Sequence, residues 1–324
     1  FNDTNPLRWA TFSPDSSTIY VGALHRGIIL LDAASFGPSS RTQDPVPFAA
    51  VGAIFVSPDG QSIAATGIPG GTQSWCVALC DQNGAIRNPY VGAGHAAFSF
   101  DSQLLATAAD EHTLTVCDVR TGKPIDTFTV SDTSITSFFW GEEDRALIVG
   151  CADGSLRLLD ATSGEITRRI EAHDGAVSRA ILTAQRDTLV TACTQTGSIK
   201  VWEWPSASLR FELTDTAGPN SIAVSPDGRR LIAGGRSNII PLWDLRSGHR
   251  ITIVGTDRGA IQSVAFSPDG RSIVACGEGH VLRIWETRPP SSVGLDGRYL
   301  RDTERRKNRR ELLELDREPA TVQE

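Results

Sequence analysis

The chain has 324 residues, 40% of them hydrophobic and 21% charged, which is long enough to bury a substantial core without disulfide staples. Lys and Arg number 31 against 38 Asp and Glu, and the net charge of −7 argues against general nucleic-acid binding. No apolar run approaches the roughly 18 residues of a membrane span. Six cysteines make no disulfide framework in a chain of this size, so a reducing compartment is the simpler reading. The chain opens Phe1-Asn2-Asp3 and contains no Met, so a native start upstream is expected.

Along the chain, Ser-Pro-Asp occurs at Ser13-Pro14-Asp15, Ser57-Pro58-Asp59, Ser225-Pro226-Asp227 and Ser267-Pro268-Asp269. The prolines step by 44, then 168, then 42 residues, and 168 is four times 42. Phe100, Glu142 and Ala184 stand at the three skipped places, so seven copies fit. An apolar residue followed by an acid comes 17 or 18 residues later, or 22 in the second copy: Leu31-Asp32, Cys80-Asp81, Cys117-Asp118, Leu159-Asp160, Trp202-Glu203, Trp243-Asp244 and Trp285-Glu286. Each copy also holds short alternating segments bounded by turns, such as residues 260–266, 272–276 and 281–285, with a fourth such as 250–254. Period two with β-branched content predicts strands, four to a copy.

Four strands per roughly 42 residues, seven times over, resembles the WD40-repeat family of β-propellers. The resemblance covers residues 4 to 286 and implies an all-β, seven-bladed propeller of four-stranded antiparallel blades around a central channel. The blades are expected at 4–48, 49–91, 92–130, 131–171, 172–213, 214–255 and 256–287, making residues 1–287 one propeller. Residues 288–324 form a charged tail; Arg301 to Glu318 contains no Gly or Pro, and a helix is expected there. In such a fold Trp202, Trp243 and Trp285 are expected between blades and Asp32, Asp118, Asp160 and Asp244 at strand ends. The family links a His, a Ser or Thr, the Trp and an Asp within a blade. Carried over by position, the copy with His173, Thr194 and Trp202 has Thr196 in place of the Asp.

Three places fit the template poorly. The second copy has a long hairpin at residues 68–73, and Pro241 falls inside a third strand, where a bulge is expected. Ring closure is open: the N-terminal stub is too short for a strand, so residues 293–300 supply the last outer strand or it is absent.

Most chemistry-bearing residues have structural explanations. Cys151, Cys193 and Cys276 share one place on the second strand of their copies, and Cys80 and Cys117 take the Trp position, so all five read as core. Cys76, four residues from Cys80, adds too few ligands for zinc. His25, His112 and His280 fall in hairpins between second and third strands. The Ser-Pro-Asp carboxylates are turn residues. No phosphate loop, nucleophile elbow or dinucleotide fingerprint appears, and no catalytic residue, metal or cofactor is predicted. Trp75, at the start of a third strand and away from the Trp position, is a candidate anchor for a partner. His25, Arg179, Arg236 and His280 join it as candidate partner-binding residues. The basic run Arg305 to Arg310 reads as a solvated helix face flanked by acids, with nuclear import as its alternative.

The expected function is a non-enzymatic, cytoplasmic interaction scaffold that takes proteins or peptides on its loop faces, with nuclear entry through the basic run as the alternative. Neither a membrane nor nucleic acid is an expected partner. A second reading is the WD40 sensor region of a larger nucleotide-switched (NACHT-like) signalling ATPase, and a third is a propeller hydrolase.

Overall fold

The computed structural model describes residues 6–24, 27–35, 48–69, 75–130, 132–141, 144–214, 218–255, 259–278, 281–287 and 313–314. Its strands form the seven antiparallel blades of a β-propeller. The first blade is β1 (Leu7–Phe12), β2 (Thr18–Ala23) and β3 (Gly27–Asp32). The second and third are one continuous sheet. β4 (Phe48–Val56), β5 (Ser62–Pro69) and β6 (Cys76–Asp81) lead into the 13-residue β7 (Ile86–Phe98), which pairs on with β8 (Leu104–Ala108), β9 (Thr113–Asp118) and β10 (Pro124–Thr129). The fourth blade is β11 (Ile135–Gly141), β12 (Ala146–Cys151), β13 (Ser155–Asp160) and β14 (Ile166–Glu171). The fifth is β15 (Arg179–Leu182), β16 (Thr188–Cys193), β17 (Ser198–Glu203) and β18 (Ser208–Leu213). The sixth is β19 (Pro219–Val224), β20 (Arg230–Gly235), β21 (Ile239–Asp244) and β22 (Arg250–Gly255). The seventh is β23 (Ile261–Phe266), β24 (Ser272–Gly277), β25 (Val281–Glu286) and β26 (Leu313–Glu314).

Burial follows strand order within a blade. The second strands β2, β12, β16 and β20 are buried at every residue, because a neighbouring blade covers each face. That accounts for their largely apolar composition. The outer strands β10 and β14 are largely exposed. Each of seven buried clusters joins two adjacent blades, including one that packs Leu7, Phe12 and Val21 of the first blade against Val274, Cys276 and Leu282 of the last. Seven junctions for seven blades close the ring by side-chain packing. A backbone seam adds to it: the Ser263 hydroxyl accepts from the Ala10 N–H and donates to the Ala10 carbonyl, both at 3.2 Å.

The repeated turns are local hydrogen-bond devices. In Ser13, Ser57, Ser225 and Ser267 the hydroxyl donates to the Asp two residues on at 2.5 Å. The same oxygen accepts the N–H five residues on, as at Thr18 (2.9 Å) and Ser272 (2.8 Å). Gly60, Gly228 and Gly270 supply the left-handed residue that closes three of these turns. In the degenerate fifth copy Thr183 donates to Asp187 instead, at 2.9 Å. The acids after the third strands cap the next turn. Asp32 accepts from the N–H groups of Ala34 and Ser35, Asp160 from those of Thr162 and Ser163, Asp244 from those of Arg246 and Ser247, and Asp118 from that of Thr121.

Several expectations need correction. Leu313–Glu314 is a strand, not part of a helix: it pairs antiparallel with Val281 and Leu282, whose backbone groups would otherwise form an open edge. The rest of 301–318, the candidate closing strand at 293–300, Glu142 and hairpin residues 70–73 lie outside the described residues. At Pro241 the β20–β21 ladder stops, after three residue pairs ending at Ile232–Leu242; Pro241 still pairs with Ile253 on its other side, and the β21–β22 register shifts one residue on, between Leu242 and Trp243. Lacking an N–H, Pro241 shortens the ladder on one side only.

Candidate functional site: the loop face and the central channel

In an antiparallel blade the hairpins between second and third strands lie at the same end as the loops entering each first strand. Trp75, Arg179 and Arg236 therefore share one face of the ring, opposite the Ser-Pro-Asp turns. His25 and His280 belong to the same hairpins but lie outside the described residues. Trp75 precedes β6 and reaches inward across its blade: a β-carbon on Gly52 would lie 2.3 Å from its Cζ3. Gly52 thus makes room for one face of the indole, and Trp75 remains 45% exposed on the other. Arg236, in the β20–β21 hairpin, lies over Gly218, whose added β-carbon would sit 3.5 Å from the arginine Cδ and Nε.

His173, on the same face, is structural. Its Nε2 and the Trp202 Nε1 both meet the Thr191 hydroxyl, at 2.8 and 2.9 Å, and its Nδ1 meets Ser198 Oγ at 3.1 Å. Ser198 in turn contacts Thr196 at 3.0 Å. The hydroxyl of this network is Thr191; Thr194 instead donates to the Pro219 carbonyl of the next blade. Thr191 sits mid-strand in β16 under the Trp, whereas Thr194 has already left the strand. Burial, and then the Lys200 charge, pull the His173 pKa down to about 4. Trp202 packs at the junction of the fourth and fifth blades and Trp243 at that of the fifth and sixth. Trp285 is only half-buried, against the cluster between the sixth and seventh.

The first strands are innermost and surround the channel. Rings on the first strands of four consecutive blades meet in series: Trp9 to Phe55 at 5.7 Å, Phe55 to His95 at 5.0 Å and His95 to Phe138 at 4.8 Å. On the opposite face Phe100 is exposed and carries the Arg186 guanidinium 4.5 Å from its ring centre. Neither His95 nor this pair carries a motif; His95 is visible only once the strands are aligned on their turns. All six cysteines are free, and burial raises the Cys76 thiol to about 11 and Cys80 to about 12. Among the described residues no group of His, Cys, Asp or Glu is placed to hold a metal ion.

Seven short-stranded blades with these turn and third-strand marks define the class: a seven-bladed β-propeller that carries WD repeats. The family model for the WD domain, G-beta repeat, matches residues 208–244 and 248–286, and that for the anaphase-promoting complex subunit 4 WD40 domain matches 130–204. The pre-mRNA-splicing factor cwf17 of Schizosaccharomyces pombe is 26% identical over 116 residues, 36% of this chain and 34% of that protein. The U5 small nuclear ribonucleoprotein 40 kDa protein of Dictyostelium discoideum is 25% identical over 114 residues, 35% of this chain and 32% of that protein. The matches thus span about a third of these relatives' length. The β-propeller domain of Myceliophteria thermophila Cps50 (Swd1) superposes with a TM-score of 0.77 at 16% identity, covering 87% of this chain and 96% of that one. The comparisons give no support to an origin in a nucleotide-switched ATPase.

Proposed function

We propose that the protein is a non-enzymatic interaction scaffold that docks proteins or peptides on its loop face, with Trp75 as the aromatic anchor and Arg179 and Arg236 as its polar partners. The observation that carries this reading is Trp75: a large indole, seated on a glycine and 45% exposed, on the loop face of the ring. Aromatic and Arg side chains of this kind dominate the energetics of protein interfaces. His25 and His280 belong to the same proposed face. Two relatives, a splicing factor and a small nuclear ribonucleoprotein protein, favour work inside a multi-protein assembly and extend the cytoplasmic reading to the nucleus.

Affinity capture compared across variants tests this. Partners held by the wild-type chain should be lost from Trp75→Ala/Arg236→Gln and kept by Ile125→Ala/Ile166→Ala, which alters exposed residues of the outer strands. Equal capture by all three would overturn the reading.

A further inference from the structure

Aligned on their turns, Trp9, His95 and Arg179 occupy one register position, four residues before Ser13, Ser99 and Thr183, in the first, third and fifth blades. Ala53 and three serines hold that position elsewhere, and the serines turn to a neighbour's backbone. Ser137 donates to the Val177 carbonyl, and Ser221 accepts the Val264 N–H. The three large side chains stand on the innermost strands, toward the loop-face end of the channel.

All three bring N–H groups, and among the described residues the acceptor that meets them is a single backbone carbonyl. Nη1 of Arg179 donates to the Ser178 carbonyl at 2.8 Å, and no carboxylate pairs with the guanidinium among the described residues. The arginine is half-buried, and burial lowers its pKa, yet an arginine stays charged near neutral pH. An enclosed charge without a counter-charge is costly. Nδ1 of His95 is dry and without a partner. Burial, and then the Arg179 charge, hold this ring to a pKa of about 3, so it is neutral. A dry Nδ1 has nothing to receive its proton, which puts the hydrogen on Nε2. Trp9 Nε1 likewise has no partner. A site of donors with one fixed positive charge and apolar walls asks for a small, negatively charged acceptor.

We propose that the channel binds an oxyanion, with the Arg179 guanidinium as its charged clamp and His95 as a neutral donor. This deepens the docking reading by naming the chemistry of the group that enters the channel, and its natural source would be an acidic group of the docked partner.

Calorimetric titration of the full chain with inorganic phosphate, and separately with acetate, at constant ionic strength near neutral pH tests the site without any partner. At least one anion should bind saturably at a single site. Arg179→Gln should weaken it by about tenfold or more, the scale of a lost charge-assisted bond. Arg179→Lys should keep part of the affinity, and Arg246→Gln, on the opposite face, should change nothing. His95 ring resonances should move during the wild-type titration and stay still in Arg179→Gln. Stronger phosphate binding would indicate a phosphoryl source, stronger acetate binding a carboxylate. Absence of saturable binding by either anion, or binding that Arg179→Gln leaves unchanged, would overturn the proposal. Partner capture intact beside that result would leave the docking face standing.

Discussion

Thr191 supports two hydrogen bonds at once, to the Trp202 indole and to His173. Thr191→Val keeps the shape and removes the oxygen, so two buried groups lose their partner, each at about 1–3 kcal/mol. Thr194→Val removes only a bond to the Pro219 carbonyl. Thermal unfolding should therefore show the first variant markedly less stable than the second; equal losses would place the network elsewhere. His173 itself makes stability depend on pH. Its folded pKa, about 4, lies below the unfolded value, about 6.5, so the unfolded chain takes up the proton first. The contribution is fully present above about pH 6.5 and lost as pH falls toward 4, reaching about 3 kcal/mol for this group alone. Urea unfolding at several pH values should show that loss, and His173→Gln should flatten it. Buried His95 acts in the same direction. The repeat marks made His173 and Trp202 legible in the sequence, but not Thr191, because a hydroxyl three residues away fits the family pattern equally well on paper. His95 and Arg179 were harder to see together: they are 84 positions apart and meet only because first strands from separate blades share one channel.

Among the elements, the last blade is held differently from the others. β17 pairs with β16 at six residues and with β18 at five, whereas β25 pairs with β24 at four and with β26 at two. Fewer ladder bonds and a two-residue outer strand lower the cost of local opening. Backbone amides of Val281 to Trp285 should exchange faster than those of Ile199 to Trp202; equal protection would mean the short β26 closes its blade as well as a full strand does. The four Ser-Pro-Asp turns were legible because the motif is a local device that needs no tertiary partner, and its spacing located the other three. The outer strand of the last blade was not, because Leu313–Glu314 sits in a charged stretch whose composition favours helix and whose strand state depends on a distant edge. Helix propensity there yields to unpaired backbone groups on β25.

At the scale of the whole molecule, the ring is closed by packing and by the seam from Ser263 to Ala10, reinforced where the Asp269 N–H meets Ser16 Oγ at 3.1 Å. A closed ring holds its loops in fixed relative positions, which lets residues as far apart in sequence as Trp75 and Arg236 present one surface. Hydroxyl-radical footprinting of the chain, free and in complex with a captured partner, tests that surface directly. Protection should concentrate at Trp75, around Arg179 and at Arg236, leaving the turn-face residues Phe100 and Arg186 as reactive as in the free chain. Protection centred on Phe100 and Arg186 instead, with Trp75 unchanged, would contradict the account and move the docking surface to the other side of the ring.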